Sequence, residues 1–154
     1  MKKFLLIALI CLSLIVPVAA FSATPGTCTV SYASLNAYVS TITWTWVASV
    51  DAATVPDTSS ASLNGWIFMA TTDPGAGVPP TASYDIEVQD SDGVDIFGAE
   101  LNNRSQTASE HAVPKIGTGY YGSRFVNGTL KMVLTGNSVN SATGTLKVYF
   151  TRTQ

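Results

Sequence analysis

Charged side chains are scarce in this chain, and basic side chains are fewer than acidic ones. Only 12% of the 154 residues are Asp, Glu, Lys or Arg, with eight basic and ten acidic side chains. Lys2 and Lys3 stand at the amino terminus, so the rest of the chain carries six basic against ten acidic side chains, a net charge near −4. Binding to nucleic acid needs a basic patch that displaces counterions. The composition therefore predicts no nucleic-acid partner.

Histidine is nearly absent, which limits catalytic chemistry. His111 is the only histidine, so a Ser/His/Asp arrangement would have to run through it, with Glu110 beside it in sequence. No Gly-x-Ser-x-Gly turn, which would present a nucleophilic serine, occurs in the chain. We predict that the protein is not an enzyme and has no catalytic residues; a hydrolase acting through His111 is the alternative.

Cysteine is equally rare. Cys11 lies in an apolar run at the amino terminus, and Cys28 is the only cysteine after it. A single cysteine cannot form an internal disulfide, so Cys28 is either a spare thiol, which we favour, or an intermolecular link.

Long apolar runs are absent except for one at the amino terminus. Met1-Lys2-Lys3 precedes apolar residues 4–16, and Pro17-Val18-Ala19-Ala20 follows, which is the pattern of a secretory signal peptide. We predict that residues 1–20 are cleaved, with no membrane insertion afterwards, and that the protein is exported to the periplasm, the cell surface or the medium. A retained anchor is the alternative, although Pro17 and the short run disfavour it.

No segment shows the period of an amphipathic helix, whereas the period of a strand recurs. Side chains from Tyr38 to Ala48 alternate between two faces, and seven β-branched residues lie between Val39 and Val50, which predicts a long strand. Residues 28–32 predict a first short strand, and residues 51–62 a loop. Residues 66–71 predict a strand covered on both faces, ending at the Pro/Gly-rich loop 73–80.

Two hairpins are predicted in the second half of the chain. Residues 84–89 alternate apolar and polar side chains, Asp92-Gly93 supplies a tight turn, and Val94 and Ile96 resume the apolar period. Residues 129–135 and 145–151 each place three hydrophobic side chains on one face and flank a polar loop, which predicts a closing hairpin.

About seven short strands separated by turns predict an all-β fold. We expect a single antiparallel β-sandwich, immunoglobulin-like or jelly-roll-like, between which the sequence does not choose. The predicted organisation is a signal peptide (1–20), a leader with the first short strand (21–37) and the β-sandwich domain (38–154). About 134 residues suffice for one core.

Acidic side chains cluster at the turn of the first of these hairpins. Asp90, Asp92 and Asp95 surround Gly93, and carboxylates at such spacing can converge on calcium. The complete calcium loop with its distal Glu is missing, and Asp is also a turn former that binds its own backbone. We expect the turn role and no cofactor, with calcium as the alternative.

Aromatic side chains supply the other candidates for binding. Trp44 and Trp46 share a strand face and are expected in the core, since a small domain fills its interior with large side chains. Tyr120 and Tyr121, bracketed by glycines in a loop at residues 117–122, are the first choice for a contact surface. Trp66 is added to them as a candidate for stacking on a glycan.

Three series of residues carry a resemblance to a known class of protein. Residues 42–46 (ITWTW), 84–104 (YDIEVQDSDGVDIFGAELNNR) and 129–150 (TLKMVLTGNS through GTLKVYF) are similar to small β-sandwich proteins encoded among the structural genes of tailed bacteriophages. The resemblance spans residues 40–152 and implies a virion-associated structural protein that assembles through its surface. Such proteins are not normally exported, so this chain departs from the pattern in its signal peptide.

Together these patterns give one functional expectation and one alternative. We expect a non-enzymatic structural or assembly protein with protein partners or self-association, for which edge strands such as residues 28–32 are candidates. The alternative is an exported module that binds a glycan or a surface.

Overall fold

Every regular element that the structure describes is a β-strand. The computed structural model describes residues 24–152, so the predicted signal peptide lies outside the described residues. No helix in residues 24–152 is long and apolar enough to cross a membrane. The strands are β1 (Thr27–Ser34), β2 (Val39–Val47), β3 (Thr58–Ser59), β4 (Leu63–Pro74), β5 (Asp85–Gln89), β6 (Glu110–Ala112), β7 (Lys115–Gly117), β8 (Tyr120–Tyr121), β9 (Arg124–Gly128), β10 (Lys131–Thr135) and β11 (Thr143–Arg152).

The larger sheet has six antiparallel strands and forms a half-barrel. Its order is β1-β2-β11-β4-β6, and β9 pairs with the other half of the same edge of β4. The strand β1 pairs with β2 along its whole length, from Thr27 opposite Val47 to Ser34 opposite Ser40. The predicted leader therefore includes a full edge strand of the sheet.

The second layer is a three-stranded antiparallel sheet in the order β3-β10-β5. A separate two-stranded ribbon pairs β7 with β8. The prediction of an all-β, antiparallel, sandwich-like fold is confirmed.

The core lies between the inner faces of the two sheets. Alternate residues of β2 point into it because side chains of a strand alternate in direction, and Trp44 and Trp46 are fully buried, as predicted. The facing sheet contributes Ile86 and Val88 from β5 and Met132 from β10. The other large, fully buried side chains are Ile42, Ile67, Tyr84, Ile96, Phe97, Leu101, Leu130 and Leu146.

A β-bulge in β4 corrects the prediction that residues 66–71 are covered on both faces. Tyr149 of β11 lies opposite Met69, but the next residue, Phe150, lies opposite Ile67, so Phe68 is the extra residue. The insertion reverses which residues face inward, because side chains alternate with a period of two. Inward residues are odd-numbered before it and even-numbered after it, and Trp66 faces outward and is half exposed.

The predicted hairpin at residues 84–103 is only half formed as strands. The turn exists, with Gly93 at φ 81°, but the returning limb makes one bridge, Asp95 opposite Gln89, and then coils through turns. The Asp95 carboxylate accepts hydrogen bonds from the backbone N–H groups of Val88, Phe97 and Ala99, at 3.4, 3.1 and 2.6 Å. These bonds hold residues 95–99 in a compact turn, whereas a strand would require an extended backbone there.

The predicted C-terminal hairpin is wrong. The strand β10 belongs to the three-stranded sheet, and β11 belongs to the six-stranded sheet. Residues 136–142 cross between the layers, and the Asn137 side chain anchors the crossing by donating to the backbone oxygen of Ala53 and accepting from Thr81 N–H. Both strands face the same core from opposite sides, so each segment shows alternate hydrophobic side chains whichever strand it pairs with: Leu146, Val148 and Phe150 are buried on β11, and Leu130 and Met132 are buried at β10 with Leu134 partly buried.

Two predicted loops contain short strands. The segment 51–62 includes β3, and the segment 117–122 includes β8, which pairs with β7 around Gly119 at φ 76°.

Candidate functional site: an open sheet edge and an exposed aromatic pair

The strand β1 forms a long open edge of the six-stranded sheet. Within residues 24–152 it makes backbone pairs with β2 alone. The hairpin closes with a hydrogen bond from Leu35 N–H to Val39 O of 2.9 Å, which fixes the alternation of the ladder. By that alternation the residues whose N–H and C=O groups point away from β2 are Cys28, Val30, Tyr32 and Ser34.

In the part of the chain that the structure describes, this open edge lacks the features that normally prevent strand addition. Proteins protect sheet edges with charged side chains, proline, bulges or a covering segment. The sequence of β1, TCTVSYAS, has no charge and no proline, and its register with β2 is unbroken. By contrast, β6 at the opposite edge is three residues long, and β5 is covered through hydrogen bonds such as Ile86 N–H to Leu101 O. An eight-residue backbone template is therefore exposed at β1.

An aromatic pair lies on the outer face of the same sheet. Trp66 of β4 stands directly opposite Phe125 of β9 in the strand register. Their ring centroids are 5.4 Å apart at an interplanar angle of 58°, and the two residues are 47% and 49% exposed. Such adjacent rings stabilise each other and fix each other's orientation. They form a rigid apolar patch on the outer face.

The predicted contact residues Tyr120 and Tyr121 lie on the small β7–β8 ribbon. They are 72% and 54% exposed, as expected for a contact surface. Neither makes a ring contact with Trp66 within the described residues, where the ring that Trp66 touches is that of Phe125. The three predicted aromatic residues are thus on the surface, but the structure pairs Trp66 with Phe125 and leaves the tyrosines on a separate ribbon.

The acidic side chains at the 90–95 turn are engaged with the backbone. The Asp90 carboxylate accepts from the N–H groups of Asp92 and Val94, at 3.0 and 2.9 Å. The Asp95 carboxylate accepts hydrogen bonds from three further backbone N–H groups, those of Val88, Phe97 and Ala99. Residues 24–152 contain no group of three or more His, Cys, Asp or Glu side chains placed to hold a metal ion. The hydrogen bonds fit the turn-forming role.

His111 and Glu110 lie next to each other on β6 but make separate contacts. The Nδ1 atom of His111 is 3.0 Å from the Thr71 hydroxyl on the exposed face. The Glu110 carboxylate accepts from Ser105 N–H at 2.6 Å and lies 3.7 Å from the Arg104 guanidinium. The two side chains therefore do not converge on one reactive serine.

Cys28 lies on the inner face of β1, and its thiol is partly buried. Burial raises the pKa of Cys28, and a hydrogen bond with the Thr58 side chain opposes this shift. A thiol with a raised pKa is a weak nucleophile, which fits the spare-thiol interpretation.

A buried polar group, which the sequence did not indicate, lies between the layers. Tyr84 forms a bridge with Arg104, and burial raises the pKa of Tyr84 to about 12 although the Arg104 charge opposes the shift. A hydrogen bond with the Thr72 side chain also opposes the rise in the Tyr84 pKa, and within the described residues no hydrogen-bond partner satisfies the buried atoms Arg104 Nη1 and Asn102 Oδ1. No local pattern could have revealed this group, since only the packing of the 95–104 segment brings Arg104 inward.

Comparisons with known proteins give no relative from which to transfer a function. No family model matches the chain, and neither does any curated protein or any solved structure.

Proposed function

We propose that this protein is a non-enzymatic structural protein that assembles through strand addition at β1. The observation that carries the proposal is the open, uncharged, eight-residue edge. A second copy can extend the six-stranded sheet by pairing its own β1 in the antiparallel sense, because two identical edges related by a two-fold axis are self-complementary.

Where the protein performs this role is inferred from the sequence alone. The resemblance to structural proteins of tailed bacteriophages suggests a virion-associated position, and the amino-terminal pattern suggests export. Both predictions agree with a small module whose task is to bind other copies or other proteins, and the low net charge reduces repulsion between copies.

The test compares one lysine substitution at the edge with the same substitution one strand inward. Thr29 of β1 and Thr45 of β2 are cross-strand partners on the outer face, and both are exposed. Wild type and Thr45→Lys should self-associate in size-exclusion chromatography with light scattering, whereas Thr29→Lys should shift to monomer, because a charge on an edge strand disfavours strand addition. A strictly monomeric wild type at high concentration would refute the proposal, as would equal association of both variants.

A second candidate function is binding of a glycan, and the Trp66–Phe125 pair favours it. Sugar rings stack on exposed, rigid aromatic faces, and this pair is held in place by its own ring contact. Tyr120 and Tyr121 offer a further platform on the β7–β8 ribbon.

A glycan array distinguishes this second function from the first. Trp66→Ala should abolish binding if the ring pair is the platform, and Tyr120→Ala with Tyr121→Ala should do so if the ribbon is. The control is Val94→Ala, which removes a similarly exposed apolar side chain from the turn after β5. No binding by the wild type would eliminate the glycan function and leave the strand-addition test unaffected.

A further inference from the structure

A cavity opens at the end of the sandwich where the chain passes from β3 to β4, and we call it the end pocket. Its volume is about 450 Å³, within the range of roughly 300–1,000 Å³ typical of small-molecule sites. The residues that line it are Tyr32, Ile42, Ala61, Ser62, Leu63, Asn64, Phe150 and Arg152.

The inner part of the end pocket is apolar and preformed. Ile42 of β2 and Phe150 of β11 are core residues, and Leu63 at the start of β4 is also buried. At the mouth, the Tyr32 hydroxyl accepts a hydrogen bond from Ala61 N–H. This bond ties β1 to the segment before β4, so the two sides of the pocket are held apart at a fixed width. A ligand would enter without a large rearrangement of the backbone.

The end pocket has a positively charged side chain among its lining residues. Arg152 is the only charged residue among those that line the end pocket. The ion pairs within residues 24–152 are Arg104–Glu110, Lys115–Glu100 and Lys131–Asp57, so the Arg152 guanidinium has no acidic partner there. An unpaired guanidinium beside an apolar cavity favours an anion with an apolar body, and its planar fork matches a carboxylate.

We propose that the end pocket binds a small carboxylate with a compact apolar body. The apolar part lies over the floor of the pocket, where Leu63 and Phe150 reach the surface above the fully buried Ile42, and the carboxylate accepts two parallel hydrogen bonds from Arg152. The residues proposed to contact the ligand, Leu63, Phe150 and Arg152, are not on β1, although Tyr32 of β1 lies at the mouth of the end pocket.

The test uses a matched pair of probes, cinnamate and cinnamamide, which share an apolar body and differ in charge. In titration calorimetry cinnamate should bind at least about tenfold more tightly, because a hydrogen bond to a charged group contributes about 1.5–3 kcal/mol. Arg152→Gln should remove this preference, and the control Lys147→Gln, on the exposed outer face of β11, should retain it. Ser62→Trp, which places a ring at the mouth, should abolish binding of both probes.

Three results would overturn the proposal. The first is the absence of saturable binding of cinnamate to the wild type. The second is a preference for cinnamate that survives Arg152→Gln, which would place the anion elsewhere. The third is binding unchanged by Ser62→Trp while the chemical shifts of the Ser62 and Leu63 amides stay constant during titration, which would show that the end pocket is not the site.

Discussion

Replacing Gly144 by alanine tests how closely the Trp46 ring of β2 packs over the neighbouring strand β11 of the same sheet. Gly144 of β11 lies directly opposite Trp46 of β2 on the inner face. A β-carbon added at this position would lie 2.5 and 2.9 Å from two carbon atoms of the Trp46 indole and 3.1 Å from the backbone oxygen of Asp73. Carbon atoms normally approach to about 3.5–4.0 Å, so the nearest contact overlaps by about 1 Å.

The expected loss of unfolding free energy in Gly144→Ala is the balance of two opposing effects. The Trp46 ring is fully buried and contacts the Tyr84 ring edge-on at a centroid distance of 6.0 Å, so it cannot move away freely. Overpacking of this kind costs about 1–3 kcal/mol. Alanine also restricts the unfolded chain, which restores about 0.4–1 kcal/mol. The net loss of unfolding free energy should be about 1–2 kcal/mol, a fall in Tm of about 3–10 °C for a domain of this size.

The assay is thermal unfolding followed by circular dichroism, with a matched control. Gly77 has no atom within 4 Å of an added β-carbon and no positive φ, so Gly77→Ala should be neutral or slightly stabilising. Trp46→Phe shortens the ring, and in the double variant it should relieve part of the Gly144→Ala loss, which a double-mutant cycle measures. If Gly144→Ala is as stable as Gly77→Ala, the close approach of β11 to the Trp46 ring is refuted.

Three further predictions concern the buried Tyr84, the capping carboxylate of Asp95 and the binding of calcium. Because the pKa of Tyr84 rises from 10.0 to about 12 on folding, its contribution to stability is present below pH 10 and is lost as the pH rises towards 12. Tyr84→Phe should therefore show a shallower alkaline decline in denaturant unfolding, and an identical decline would contradict the assignment. Asp95→Ala should lose about 2–3 kcal/mol, since three backbone N–H groups lose their acceptor, whereas the exposed Asp92→Ala should change stability by less than about 0.5 kcal/mol. Calcium should leave the wild-type Tm unchanged, and a clear rise would favour the calcium interpretation of Asp90, Asp92 and Asp95.

Which faces of β2 and β5 enter the core could be predicted from the sequence. The alternation through β2 placed Trp44 and Trp46 inside, and the alternation through β5 did the same for Ile86 and Val88. This works because the period of two is a property of the local backbone, and burial of one face requires apolar side chains at every second residue.

The candidate surfaces could be predicted only in part. Glycines around Tyr120 and Tyr121 indicated a loop in which two aromatic side chains could be exposed, and residues 28–32 were a candidate edge strand. The outward position of Trp66 depends on the bulge at Phe68, and the end pocket depends on Arg152 meeting the segment before β4. No local sequence pattern predicts the outward position of Trp66 or the end pocket, because each arises where residues far apart in sequence are brought together.

The sequence by itself determined that the chain is all-β and which side chains are buried in the regular strands β2 and β5, because backbone propensity and alternation act over a few residues. The tertiary structure decided which strands pair, sending β10 and β11 to opposite sheets although both segments alternate hydrophobic and polar side chains in the same way. Alternation specifies only inside and outside, and two strands facing one core satisfy it equally well as neighbours in a sheet or as opposing layers. The choice between these arrangements comes from the crossing at residues 136–142 and the packing of whole layers, and it also creates the open edge at β1 and the end pocket.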